Sequence, residues 1–251
     1  MESSLNEYKE LARNKVADAL NSNNYDELFT LLGYIKSGEK IEEMDEDKLR
    51  DKRAHCFYKL GMLYNQMTDK EKRFARFFGI KKDINKAIEC LLKSFALGND
   101  YALSPLYSIF TKIDEPEKAE QILAMGIHIE QPKMCYLMGL RYYRVGEYEK
   151  AYPLLKTAYD QAPQYGGYEL GVMYEDGLGV EKNEEEAFYC FLDAADCGDK
   201  MAMNKVGFLY RDLGQADNAK YYLQESIKAG IGGKRKEEAS EVIREIEEFS
   251  R

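Results

Sequence analysis

Five alanines recur at a near-constant spacing in this chain. Ala87, Ala119, Ala151, Ala187 and Ala219 are separated by 32, 32, 36 and 32 residues. Each follows a charged or polar residue: Lys86, Lys118, Lys150, Glu186 and Asn218. Four residues beyond each stands a large apolar side chain: Leu91, Leu123, Leu155, Phe191 and Leu223. Seven residues beyond stands a small one: Ser94, Gly126, Ala158, Ala194 and Ser226. Steps of four and seven lie on one face of an α-helix. A second register precedes the first. It reads Leu60-Gly61, Leu106-Tyr107, Met138-Gly139, Leu170-Gly171 and Val206-Gly207, with Tyr64, Phe110, Tyr142, Tyr174 and Tyr210 three residues later. Each period therefore holds two helices, with a small residue where they approach most closely. One such pair cannot bury its apolar face alone. Stacked pairs can, so the period predicts a solenoid of helix pairs.

The clearest copy runs from Tyr165 to Ala202. Tyr168, Gly171, Val172 and Tyr174 recur at helical spacing until Gly177 and Gly179 interrupt them. Asn183 is placed to cap the second helix, and Glu186, three residues on, completes a capping-box pattern. Ala187, Phe191, Ala194 and Ala195 form its stripe, and Gly198 ends it.

The run Glu169-Leu170-Gly171-Val172-Met173-Tyr174, then Asp176-Gly177-Leu178-Gly179-Val180, Glu186-Ala187, Ala194-Ala195 and Gly198, resembles a Sel1-like repeat. That family is related to the tetratricopeptide repeats and has a longer, glycine-rich turn between its helices. The units at 133–164 and 201–230 have the shorter turn and are similar to tetratricopeptide repeats proper. The 101–130 unit is degenerate, with Tyr107 in place of the glycine. The resemblance covers residues 54–230. It implies an all-α fold: a right-handed α-α superhelix of about five to six antiparallel helix pairs with a C-terminal capping helix. It also implies a family whose members mostly bind other proteins or peptides.

The remaining chain fits this organisation. Residues 1–38 read as a decayed N-terminal helix pair, with Leu5, Tyr8, Leu11 and Val16 in one stripe and Leu28, Leu31, Leu32 and Ile35 in the next. Residues 39–230 hold the repeats, at about 54–98, 99–131, 132–164, 165–198 and 199–230, opening with a charged stretch over 39–53. Residues 231–251 form an amphipathic cap through Ala239, Val242, Ile243, Ile246 and Phe249.

One unit departs from the template. Ala87 comes 26 residues after Gly61, against 12 to 16 in the other units. The extra segment is expected as an insertion loop, basic in an acidic protein. It carries Arg73, Arg76, Lys81 and Lys82 with Phe74, Phe77 and Phe78 interleaved. Insertions in solenoids map to loops on one face, often the binding face. Three readings stand side by side. The phenylalanines tuck onto the neighbouring repeat while the cations face water; the loop docks an acidic protein; or it contacts nucleic acid or an anionic surface.

Composition narrows the function. A formal charge of −9 opposes nucleic-acid binding, which needs a net basic face. The N-terminus has no apolar core of signal-peptide length, and no run approaches the ~18 apolar residues that span a bilayer. A cytoplasmic protein without a membrane segment is the expectation. Five cysteines, at 56, 90, 135, 190 and 197, read as small buried thiols in helix packing. Cys190 and Cys197 are seven apart on one helix, about 10 Å along its axis, too far for a disulfide.

No catalytic set emerges, and the chain is read as a non-enzyme without cofactor or metal. Its two histidines, His55 and His128, are far apart, and the neighbouring Cys56 points away from His55 on a helix. Gly230 to Lys234 lacks the spacing and the Ser or Thr of a P-loop. The expected function is binding another protein or a peptide on the concave face that first helices line. The positions three before, one after and four after the close-packing glycine point there. They are Tyr58, Met62 and Asn65; Tyr136, Leu140 and Tyr143; Tyr168, Val172 and Glu175; and Asn204, Phe208 and Arg211. Tyrosines and apolar side chains in a groove suit an extended or helical peptide.

Overall fold

A computed structural model describes residues 45–249 together with Lys15, Asp18, Ala19 and Ser22. The helix pair expected over 1–38 and the start of the charged 39–53 stretch lie outside the described residues, apart from those four positions. So does the side chain of Phe249.

The described residues form twelve α-helices and no strand. They are α1 (Glu46–Asn65), α2 (Asp69–Phe78), α3 (Ile84–Ala96), α4 (Leu103–Lys112), α5 (Pro116–His128), α6 (Pro132–Arg144), α7 (Tyr148–Gln161), α8 (Gly167–Asp176), α9 (Glu184–Asp196), α10 (Lys200–Asp212), α11 (Ala216–Lys228) and α12 (Gly233–Phe249). A short 3-10 turn, Asp100–Ala102, leads into α4. The chain divides into two compact units, residues 1–124 and 125–251.

The two sequence registers meet face to face in both units. A Cβ added at Gly61 would stand 2.7 Å from Leu91 Cγ. The equivalent distances are 2.9 Å from Gly139 to Leu155, 2.6 Å from Gly171 to the Phe191 ring and 2.6 Å from Gly207 to Leu223. All four large partners are fully buried. The glycine on the first helix thus makes the seat for the large residue on the second. No second-helix packing of this kind would survive a Cβ without a shift.

In the first unit the core gathers Leu60, Leu63, Leu91, Leu103, Leu106 and Ile109, with Ala19 also buried in it. Ser94 is buried and its hydroxyl donates to the Ala54 carbonyl at 2.7 Å, tying α3 to α1. Tyr107 takes the glycine's place in the degenerate pair and packs half-buried against the same core.

In the second unit the tyrosines do more than fill space. Tyr159 on α7 donates to Asp193 on α9 at 2.6 Å, and Tyr222 on α11 donates to Asp196 on α9 at 3.0 Å. The Tyr152 and Tyr174 hydroxyls lie 2.8 Å apart, joining α7 to α8. Successive repeats are thereby stapled by phenol hydrogen bonds as well as by apolar contact. On α12, Ala239 and Val242 cover Leu223, with Phe208, Ile227 and Ile246 around them. Lys220 and Glu247 add an ion pair at 2.7 Å.

The segment expected as an insertion loop is a helix. Thr68 caps α2 with a full capping box: its hydroxyl accepts from Glu71 N at 3.2 Å, and Glu71 accepts from Thr68 N at 2.9 Å. Gly79 closes α2 in the left-handed conformation. Ala75 is fully buried, which gives the short helix an inward face. The length accounts for it: Gly61 to Ala87 exceeds Gly171 to Ala187 by 26 minus 16 residues, and α2 has ten.

Between α2 and α3 the chain makes the same turn as the Tyr165–Ala202 template. Asp83 caps α3 at φ −147°, ψ 105°, and Asn183 caps α9 at φ −147°, ψ 102°. Asp83 N–H donates to Tyr64 O at 3.1 Å, and Asn183 N–H donates to Tyr174 O at 2.9 Å. That last bond occupies the Asn183 N–H. The expected box at Asn183 and Glu186 is accordingly formed on one side, with the Asn183 side chain accepting from Glu185 N and Glu186 N.

Gly179 in that turn has φ +67°, and a Cβ there would stand 2.5 Å from the carbonyl carbon of Tyr148. Only glycine satisfies both the conformation and the approach to the start of α7.

Candidate functional site

The first helices of the second unit, α6, α8 and α10, carry nine of the residues expected to bind a partner. Tyr136, Leu140 and Tyr143 on α6 are half-buried, as are Tyr168, Val172 and Glu175 on α8 and Phe208 on α10. Asn204 is buried and Arg211 is exposed.

Packing accounts for part of this row. Tyr168 lies on Phe191 with ring centres 5.7 Å apart, and Tyr143 meets Tyr148 edge-on at 5.5 Å. Val172 packs on the core around Leu170 and Phe191. The Arg211 guanidinium covers the Phe208 ring at 5.0 Å and pairs with Asp212 at 2.7 Å. Tyr136 stacks obliquely on Tyr165 at 5.8 Å and donates to Glu169 at 3.4 Å. Burial pushes the Tyr136 phenol up to about 12 and raises the Glu169 carboxyl above its ordinary range.

Glu175 leads to a site that spacing alone did not show. It pairs with Lys205 at 2.7 Å, each about one-third exposed. Beside this pair a cleft of about 690 Å³ opens at the ends of α8 and α10 and the start of α9. Phe188, Leu209 and Leu213 supply its apolar wall. Asp176, Glu184 and Asp212 join Glu175 in it, against Lys182 and Lys205. Four carboxylates face two ammonium groups, and the Arg211 guanidinium also holds Asp212, so the cleft keeps a net negative charge centred on Asp176.

The signal for that rim was present in the sequence. Leu213 stands six residues after Gly207 and is 62% exposed. The same position is filled by Met67, Ile113 and Val145, which are 40%, 43% and 70% exposed. A partly exposed apolar residue therefore recurs just past four of the five first helices. In the Tyr165–Ala202 repeat this position is Gly177.

In the first unit, Tyr58 and Met62 line a cleft of about 500 Å³ with Thr68, Lys70 and Phe74 between α1 and α2. Asn65 turns elsewhere: it is buried and borders a separate cleft of about 400 Å³. Arg73, Arg76, Lys81 and Lys82 are exposed. Phe78 packs on the core of its own unit, with Phe74 and Phe77 rings at 5.0 and 4.9 Å from it. The phenylalanines of α2 thus form one cluster anchored by Phe78.

Cys90, Cys135 and Cys190 are buried free thiols, and Cys56 is buried too. Burial pushes Cys90 up to about 12 and Cys190 up to about 11, far from thiolate chemistry at neutral pH. Cys197 departs from the expectation of buried packing: it is exposed, because it caps the C-terminus of α9. No group of His, Cys, Asp and Glu among the described residues could hold a metal ion. No helix among them is long and apolar enough to cross a membrane.

The Sel1 repeat family model matches residues 75–99 and 168–199. Two stretches of the chain are thus similar to Sel1 repeats. The two matched segments are the ones that share the Asp83 and Asn183 turn. Among solved structures, a Sel1 repeat protein from Oxalobacter formigenes is similar over 87% of this chain and 85% of its own, at 18% identity and a TM-score of 0.59. A second is c5321, a protective antigen present in uropathogenic Escherichia coli strains displaying an SLR fold. It is similar over 92% of this chain and 56% of its own, at 19% identity and a TM-score of 0.55. These likenesses show the fold, an all-α helical-repeat superhelix. No curated protein matches the sequence. Sel1-like repeats are in general protein-interaction scaffolds.

Proposed function

We propose that the chain is a non-enzymatic interaction module that binds a protein or peptide, serving as an adaptor, regulator or inhibitor of another protein. In the second unit the contact row comprises Tyr136, Leu140, Tyr143, Tyr168, Val172, Glu175, Asn204, Phe208 and Arg211, and it ends in the acidic cleft beside Glu175. The observation that carries the reading is the rim of that cleft, where Leu213 is left 62% exposed beside four carboxylates. An apolar anchor next to fixed negative charge suits a peptide with an apolar residue beside a lysine or arginine.

The test is selection of peptides from a random displayed library on the purified chain, followed by fluorescence polarisation of the enriched sequences. Enriched peptides are expected to carry a basic residue next to an apolar one. Leu213→Asp and Glu175→Lys should each weaken them by about ten-fold, the loss of roughly 1.4 kcal/mol. Peptides that bind both variants as tightly as the parent chain would place the contact elsewhere.

A further inference from the structure

The acidic cleft has a counterpart in the first unit, at the same repeat register and with the opposite charge. Counted from the close-packing position, Asn65 and Gln66 replace Glu175 and Asp176, and Lys112 and Ile113 replace Asp212 and Leu213. Lys82 corresponds to Lys182 through the shared turn, and Ile84 replaces Glu184. The result is the cleft of about 400 Å³ whose charged lining is Lys72, Lys82 and Lys112, with no carboxylate.

Two of these lysines have no counter-charge among the described residues. Lys72 pairs with Asp69 at 3.1 Å. Lys112 reaches only the Met67 sulfur, at 3.8 Å, and Lys82 makes no ion pair among the described residues. Asn65 adds an independent indication. It is 4% exposed, and its Nδ2, like that of Asn204 in the second unit, donates to nothing among the described residues. The counterpart Glu175 is an acceptor met by the Lys205 ammonium, whereas Pro105, at the position of Lys205, offers Asn65 no polar side chain. A buried amide donor without an acceptor is destabilising, and such groups in folded proteins are nearly always met.

We infer that this cleft is an anion site that takes a carboxylate or phosphate group. A rotation of the Asn65 side chain at the cleft's edge brings its closed-off amide nitrogen to the oxyanion. Lys82 and Lys112 neutralise its charge, while Ile109 and Ile113 exclude water on the apolar side. The site belongs to the first unit and the peptide row to the second. The acidic cleft, with the same register and reversed charge, serves as its internal control.

The experiment is a 1H–15N NMR titration of the full chain with inorganic phosphate and, separately, with butyrate, against sodium chloride at matched ionic strength. Saturable shifts are expected at the Asn65 side-chain amide and at residues 109–113, with none at Glu175 or Asp212. The oxyanion that saturates at lower concentration identifies the source. Lys82→Gln with Lys112→Gln changes two exposed side chains, and far-UV circular dichroism checks its fold. It should weaken binding by about ten-fold or more. The inference is overturned if chloride reproduces the shifts, if neither probe saturates, or if the double variant binds as the parent does.

Discussion

Gly171 presents its bare Cα to the Phe191 ring, so that a Cβ there would lie 2.6 Å from the ring carbons. Phe191 is fully buried and also touched by Tyr168, which leaves the ring no room to retreat. Gly171→Ala should therefore cost roughly 1–3 kcal/mol, the usual penalty of overpacking. Urea unfolding followed by circular dichroism reads it. A loss below about 0.5 kcal/mol would mean that α8 and α9 separate more easily than this contact suggests.

The relationship also shows how much of the fold the sequence carried. The period, the glycine seats and the large residues opposite them are all consequences of two helices needing to touch, so they survive as a pattern of residue size. The α2 helix was harder to read because cations and phenylalanines alternate without a long stripe. Yet Thr68-x-x-Glu71 is a capping box in plain sequence, and ten surplus residues are three turns of helix. The clefts were less legible still. They arise where the end of one first helix meets the start of a second helix and the next first helix, residues far apart in sequence. Only the exposed apolar position six past the glycine marks them.

Thr68→Ala removes one half of that box. The expected loss is about 1 kcal/mol, confined to α2. Hydrogen exchange measured by mass spectrometry should show faster exchange over residues 69–78 and unchanged exchange over α6–α11. Uniformly faster exchange through the first unit would instead show that α2 is a cooperative part of its core.

The phenol of Tyr159 and the carboxylate of Asp193 tie α7 to α9 at 2.6 Å. Burial and that hydrogen bond push the Tyr159 phenol well up from its ordinary value, so it stays a donor across the usable pH range. Tyr159→Phe keeps the ring and deletes the donor. A loss of about 1 kcal/mol is expected, at the lower end for a bond to a charged acceptor because Asp193 is exposed. Asp193→Asn, which can still accept, should lose less. Equal losses in the two variants would show that the charge of Asp193 matters more than the hydrogen bond.

Glu169 makes stability depend on pH in a direction opposite to that of a salt-bridged carboxylate. Burial is the largest cause of its upward shift from 4.5, with the Asp199 carboxylate adding to it, and the Tyr136 hydroxyl at 3.4 Å offsets only part. Its folded pKa lies above its unfolded one, so the folded chain holds the proton more tightly. The resulting stabilisation is fully present below about pH 4.5 and is lost as pH rises through the raised folded value. Glu169→Gln keeps an acceptor for Tyr136 and never ionises. The difference in unfolding free energy between parent and variant should therefore shift in the variant's favour as pH rises from about 4 to about 7. Chemical denaturation of both proteins across that range measures it. A difference that stays flat, or that moves toward the parent at higher pH, would show that the Tyr136 hydrogen bond holds the carboxylate charged despite its burial.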